Sequence, residues 1–234
     1  MYSSLVRLQN TFGFFTTVIF VVAAFIAVSD VVTPREPVVA TLKTNQVQVV
    51  RGRPHYYSSK KEEYAVIKFS LDADLSSLFT WNTKQVFVYV TAEWPSSSAA
   101  KIAGNVTENQ AVIWDTIITA PSSDHLANLG PAARKKLLKS AAGKAIDPSR
   151  GKLSIKNQKP KYQITHPSGK IAETDDVVLK LHYNVQPWVG MLTWNQDIDM
   201  FRWKKLKNGM SKKFALPAIK KKVEAKKTTA GTGK

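Results

Sequence analysis

Ala65–Leu75 reads A-V-I-K-F-S-L-D-A-D-L, and its period decides what kind of fold the chain can adopt. Ile67, Phe69, Leu71, Ala73 and Leu75 fall on one side; Lys68, Ser70, Asp72 and Asp74 fall on the other. Successive side chains of a strand point to opposite faces, so this alternation is that of a half-buried strand with one wet face. Ser76–Asn82 breaks the pattern but keeps Leu78, Phe79 and Trp81, which are expected to tuck under the sheet edge. Lys84–Trp94 (K-Q-V-F-V-Y-V-T-A-E-W) resumes it. Here both alternating sets, Val86/Val88/Val90 and Phe87/Tyr89/Thr91, are apolar or aromatic, as a central strand requires.

Working outward, Val38–Leu42 and Val47–Val50 predict two strands or one bent one, and Arg51–Glu63 a loop around Pro54. Ala111–Ile118 and Val177–Val185 are further strands, with Leu179, Leu181, Tyr183 and Val185 inward against Lys180, His182 and Asn184. Tyr162–Thr165 reads as a brief strand and Asp197–Trp203 as a last one. Within 121–160, Pro131–Ala145 is rich in alanine, leucine and lysine, which predicts a short helix in a segment inserted between sheet elements. Short alternating strands with turn-like breaks argue a mainly β chain, an antiparallel β-sandwich over 33–203. From Lys204 onward lysine, alanine, threonine and glycine dominate, and 204–234 is expected to be a mostly disordered basic tail.

Before the sandwich, Phe12–Val28 (F-G-F-F-T-T-V-I-F-V-V-A-A-F-I-A-V) is apolar nearly throughout, and no ionisable side chain stands between Arg7 and Asp30. As a helix those seventeen residues are roughly 26 Å long, close to a bilayer core of about 30 Å. Phenylalanine, valine and isoleucine fall on every face, so this helix calls for lipid rather than one packed side. Residues 12–32, from Phe12 to Val32, are therefore read as a transmembrane span after a short N-terminal segment, 1–11. A cleaved secretory signal ending at Ala27-Val28-Ser29 is the rival, but the apolar run exceeds the usual length of such signals. Charge asymmetry is slight, Arg7 facing Asp30, Arg35 and Glu36. A cytosolic N-terminus with a translocated body is the orientation expected, because long domains cross largely regardless of their own charge.

Composition narrows the functions. Hydrophobic content of 44% and aromatic content of 10% are those of a folded protein. With no cysteine, cysteine-zinc sites, iron–sulfur clusters and thiol nucleophiles are excluded, and the domain rests on its core and sheet bonding. His55, His125, His166 and His182 show no metal-ligand spacing. The formal charge of +17 sits mainly in Arg134–Lys152 and in Arg202–Lys234, whereas Val38–Ala120 nearly balances. Basic loops and tails of this kind are solvated or drawn to anionic lipid more often than they form a nucleic-acid site. Asn105-Val106-Thr107 in the polar stretch Pro95–Gln110 is an N-glycosylation acceptor. Asp72 and Asp74 share a strand face at i and i+2, but Lys68 and Ser70 beside them make a salt-bridged wet face the better reading. Ser58/Lys61 and Ser149/Lys152 have S-x-x-K spacing without apolar framing to lower a lysine pKa. No phosphate-loop or dinucleotide-binding fingerprint is present.

One block is too specific for generic β sequence: Phe69-Ser-Leu-Asp-Ala-Asp-Leu75, Leu78-Phe79-Thr-Trp81-Asn82-Thr-Lys84-Gln85-Val-Phe-Val-Tyr-Val90, then Ala92-Glu93. With Val112-Ile-Trp114-Asp115, Leu179-Lys-Leu-His-Tyr-Asn184-Val185-Gln-Pro187 and Gly190, and with Leu5-Val6-Arg7-Leu8-Gln9-Asn10 before the span, it closely resembles the subunit 3 family of the signal peptidase complex, in a fungal guise. The resemblance implies a single-pass type II protein of the endoplasmic reticulum membrane, its C-terminal domain lumenal. It implies a non-catalytic subunit of a serine-type protease complex, without cofactor, that scaffolds the catalytic subunit for signal-peptide removal. Its partners would be that subunit, the other small membrane subunits and the membrane itself, and not nucleic acid. Phe79, Trp81, Trp94, Trp188 and Trp194 are the candidate partner contacts, aromatics being common interface anchors. The longer 121–160 segment and the basic tail depart from the family pattern. The competing reading is a free-standing lumenal or secreted β-sandwich module that binds glycan or lipid through the aromatics of Trp188–Trp203.

Overall fold

The computed structural model describes residues 3–33, 36–95, 108–120, 151–195 and 206–219. Helix α1 runs Ser4–Val32, with the Ser3 side chain accepting from the Val6 amide as its N-cap. It begins eight residues before Phe12, so Ser4–Thr11 of the short N-terminal segment is helical and continuous with the apolar run. At about 1.5 Å per residue the helix is roughly 43 Å long, and its polar first turns reach beyond a hydrocarbon core of about 30 Å. Thr11, Thr16 and Thr17 donate their hydroxyls to carbonyls one turn back, at Arg7, Phe12 and Gly13. That removes their polar cost in lipid.

The body is two antiparallel sheets face to face. The first has strand order β1-β2-β5, from β1 (Val39–Gly52), β2 (Glu62–Asp74) and β5 (Lys152–Gln158). The second has order β4-β3-β6-β7, from β3 (Thr83–Pro95), β4 (Glu108–Thr119), β6 (Val178–Pro187) and β7 (Thr193–Trp194). The two runs expected near Val38–Val50 are one strand, bent by a register shift between Thr44 and Gln46. On β2 the alternation holds, Ile67, Phe69, Leu71, Ala73 and Leu75 all buried. β3 is central, flanked by β4 and β6, and its Val86, Val88 and Val90 are fully buried. Phe69 from one sheet meets Trp114 from the other edge-on, centroids 5.9 Å apart. Inward faces from both sheets thus make one continuous core.

Two expectations need correction. Residues 152–158, assigned to an inserted loop or helix, form β5, which pairs with β2 from Phe69↔Gln158 to Asp74↔Lys152. The alternation of Leu153 and Ile155 with lysine and serine is the strand signal, obscured by the basic residues around it. The start of the tail is also not loose. Leu216 is buried, and Leu206, Phe214 and Ile219 pack on the core. The amide of Ala40 donates to the Lys207 carbonyl, while Leu181 and Val177 donate to Gly209 and Phe214. Residues 206–216 therefore lace β1 of one sheet to β6 of the other and close that seam of the sandwich. The opposite seam is closed by Lys161 and Tyr162, whose amides donate to Ile113, and by Ala65, which donates to Ile164. The expected last strand at Asp197–Trp203, the helix at Pro131–Ala145 and the end of the tail lie outside the described residues.

Strand direction gives the body two distinct ends. At the helix-proximal end β1 starts, β2 ends and β3 starts, and β6 finishes at Pro187. The Ser77 hydroxyl there donates to the Glu36 carbonyl, tying the linker from α1 to the 3-10 turn Ser76–Leu78. The far end holds Gly52, Glu62, Pro95 and Glu108. The connection carrying Asn105 leaves and re-enters at that far end, although Asn105 itself is outside the described residues.

Candidate functional site

Two surfaces carry the aromatic residues that the sequence nominates. The first is at the helix-proximal end. Leu78 and Phe79 tuck under the sheet, as their apolar character requires. Trp81, two residues on, does not: it is 67% exposed. The chain turns between them because Asn82 is drawn inward. Its amide nitrogen donates to the Val189 carbonyl at 2.8 Å and its side-chain oxygen accepts from the Val189 amide at 3.1 Å. Its own carbonyl accepts from the Trp188 amide at 2.8 Å. One buried asparagine thereby joins the turn before β3 to the loop after β6. With the asparagine fixed inside, its neighbour Trp81 points out. Gly190 in that loop has φ +128, a conformation that suits glycine.

The second surface is the outer face of the four-stranded sheet. The pairings Phe87↔Ile117, Phe87↔Asn184 and Asn184↔Trp194 place one rung of side chains across all four strands. The adjacent rung is Asp115, Tyr89 and His182. Tyr89 stacks on Phe87 at 5.4 Å and on His182 at 5.1 Å, and meets Trp194 edge-on at 6.4 Å. Ile117 at 54% exposure and Trp194 at 44% form the open rim of this row. Farther from α1 the same face becomes ionic. Lys180 pairs with Glu93, and a cavity of about 370 Å³ lies between them, Glu108, Asp176, Met210 and Lys213. His182 contacts the Thr91 hydroxyl at 3.1 Å and lies 3.7 Å from the Glu93 carboxylate. Burial pushes its imidazole below the ordinary value, and Glu93 opposes that shift only in part.

Of the nominated aromatics, Trp81, Trp188 and Trp194 have exposed faces, whereas Phe79 and Trp94 are buried in the core. The structure places Trp81 and Trp188 on the two segments that Asn82 joins, and Trp194 on the sheet. Asp74 is occupied as a turn acceptor, bonded by the Ser76 amide at 3.0 Å and hydroxyl at 2.6 Å, which holds its carboxyl below the usual range. Lys68 donates to the Gln46 side chain at 2.8 Å, so the expected salt bridge on that strand face is replaced by hydrogen bonds to neutral partners. Sequence reasoning missed the Ile117–Phe87–Asn184–Trp194 rung. Its signal was the apolar character of both faces of Lys84–Trp94, taken there only as centrality.

The family model described as "Signal peptidase subunit" matches residues 1–137 and 146–205. Among relatives, signal peptidase complex subunit 3 of Saccharomyces cerevisiae is 37% identical over 139 residues, covering 59% of this chain and 57% of the relative. The Debaryomyces hansenii subunit 3 is 34% identical over 145 residues, covering 62% and 58%. The Schizosaccharomyces pombe subunit 3 is 27% identical over 193 residues, covering 80% and 85%. The match thus spans somewhat more than half the length of the first two. The family model's span includes α1, both sheets as far as β7 and both aromatic surfaces. The chain belongs to the signal peptidase subunit family.

Proposed function

We propose that this chain is a non-catalytic subunit of the signal peptidase complex of the endoplasmic reticulum membrane. Helix α1 anchors it with a cytosolic N-terminus, and the lumenal sandwich scaffolds the catalytic subunit, a serine-type protease, for signal-peptide removal. The observation that carries this reading is the pair of open side chains Ile117 and Trp194 that flank half-buried Phe87 and buried Asn184 on one sheet rung of a family member. Aromatic and aliphatic side chains on a preformed sheet are suited to a packed protein contact, since little freedom is lost when they are covered. An anchor in the same bilayer as its partner makes the second contact effectively intramolecular, so a modest sheet surface suffices. Asn105, in the connection between the far ends of β3 and β4, is proposed as a glycan site.

The test is purification of the tagged full chain in mild detergent, alongside Ile117→Glu. Ile117 is half-exposed, so the substitution spares the core and places a charge at the open rim of the proposed contact. Wild type is expected to bring the catalytic subunit in stoichiometric amount and the variant to lose most of it. A wild-type chain that emerges alone would instead support a free-standing module, and equal recovery with the variant would remove this face from the contact.

A further inference from the structure

The helix-proximal surface has a different chemistry from the sheet rung and a fixed place relative to α1. Ala23, Ile26, Ala27, Asp30 and Val31 are the half-buried positions along the second half of that helix, recurring at three- and four-residue spacing as one stripe. On this stripe Ala27 touches the loop after β6: a methyl group built on Gly190 would lie 3.6 Å from the Ala27 Cβ, ordinary van der Waals contact. Asp30, the first ionisable residue after Arg7, marks where the helix leaves hydrocarbon. Ala27 is three residues earlier, about 4.5 Å deeper along the axis. A loop lying against Ala27 is therefore level with the boundary between headgroups and acyl chains.

What this loop and its partner expose at that level is apolar. Trp81 (67%), Met191 (67%), Leu192 (54%) and Trp188 (38%) are open. Neither Leu78–Thr83 nor Pro187–Trp194 contains an ionisable side chain. Asn82 clamps the two segments into one unit through Val189 and Trp188. At the rim the Lys84 ammonium lies 5.4 Å from the Trp188 ring centroid, a cation placed at the height of lipid phosphates. Tryptophan concentrates at this level of a bilayer, and apolar side chains of interfacial segments sink about 5–10 Å into it.

We infer that Trp81, Trp188, Met191 and Leu192 form a foot inserted into the headgroup–acyl boundary of the same bilayer that α1 spans, so the sandwich stands on lipid beside its own anchor. This rests on the reading of α1 as a transmembrane helix, and holds for either orientation. The foot fixes the tilt of the body, and with it the height at which the sheet rung is presented.

The chain has no cysteine, which allows single reporters. Met191→Cys and Leu192→Cys, each in the full chain, would carry an environment-sensitive fluorophore in phosphatidylcholine vesicles. Phe20→Cys in mid-helix and Tyr56→Cys, 91% exposed at the far end, serve as references. The Met191 and Leu192 labels are expected to be quenched by lipids with a shallow nitroxide several-fold more than the Tyr56 label, and by aqueous iodide several-fold less. If the Phe20 label escapes a deep nitroxide, the transmembrane reading fails and the foot with it. If Phe20 is quenched but Met191 and Leu192 meet iodide as freely as Tyr56, the foot alone is overturned. Protection from both iodide and nitroxide in membranes that hold the assembled complex would mean that protein, not lipid, covers the surface, and would overturn the proposal.

Discussion

Asn82→Ala isolates the joint between the two halves of the helix-proximal end. The side chain is 2% exposed and makes two hydrogen bonds to the backbone of Val189, at 2.8 and 3.1 Å. Both vanish on truncation, while the Trp188 amide keeps its bond to the Asn82 carbonyl. A lost hydrogen bond costs about 0.5–1.5 kcal/mol net, more where its partner stays buried and unpaired. Val189 is only half-buried and regains water in part, so the two bonds together are worth about 2 kcal/mol. For a body of this size that lowers Tm by roughly 4–8 °C. Urea unfolding of the full chain in mild detergent, followed by tryptophan fluorescence, should show the midpoint falling with an unchanged slope. Trp81→Ser is the matched control: its ring is largely open, and stability should move by less than about 0.5 kcal/mol. The reasoning is refuted if Asn82→Ala is silent, or if Trp81→Ser costs as much.

Three other perturbations test the fold and its charges. Phe69→Ala removes the ring that meets Trp114 across the two sheets, and should cost about 3–5 kcal/mol by the same unfolding assay. Gly151→Ala would place a Cβ 2.5 Å from the backbone N and Cα of Ser76, whereas Gly52→Ala meets only the Tyr64 ring at 3.4 Å. The first should lower stability by about 1–3 kcal/mol or more, clearly further than the second. His182 is held below its ordinary pKa of about 6.5 chiefly by burial, so the unfolded chain protonates first as pH falls. Its contribution is constant above about pH 6.5, is eroded as pH drops toward the lowered folded value, and does not recover below it. In pH-dependent unfolding His182→Gln should flatten that loss and leave stability's slope above neutrality unchanged.

The strands were legible because one period governed them. Ala65–Leu75 has to turn the same face to the core whatever packs there, and Val86, Val88 and Val90 could lie nowhere but inside. α1 was equally plain, since a charge-free apolar run leaves few alternatives. The misread parts are those where composition and partner disagree. β5 carries Lys152 and Lys156 on its outer face, and Leu153 and Ile155 were too few to outweigh the basic context. Residues 206–219 read as tail because lysines dominate, yet their bonds go to β1 and β6, which no local pattern announces. Trp81 looked like another core aromatic beside Leu78 and Phe79, and only the inward pull of Asn82 toward a loop more than a hundred residues away turns it out. The sheet rung was hidden for a related reason: Ile117, Phe87, Asn184 and Trp194 come from four strands, and only register aligns them.

The central claim, that the outer face of the four-stranded sheet holds the catalytic signal-peptidase subunit, is tested most directly by photocrosslinking in intact membranes. A photoreactive residue at Ile117, with another at Tyr56 as reference, would report the neighbour of each surface. A crosslink to the catalytic subunit from Ile117 and none from Tyr56 is the predicted result. The opposite pattern, or no protein crosslink from Ile117 in membranes that contain the complex, would contradict it.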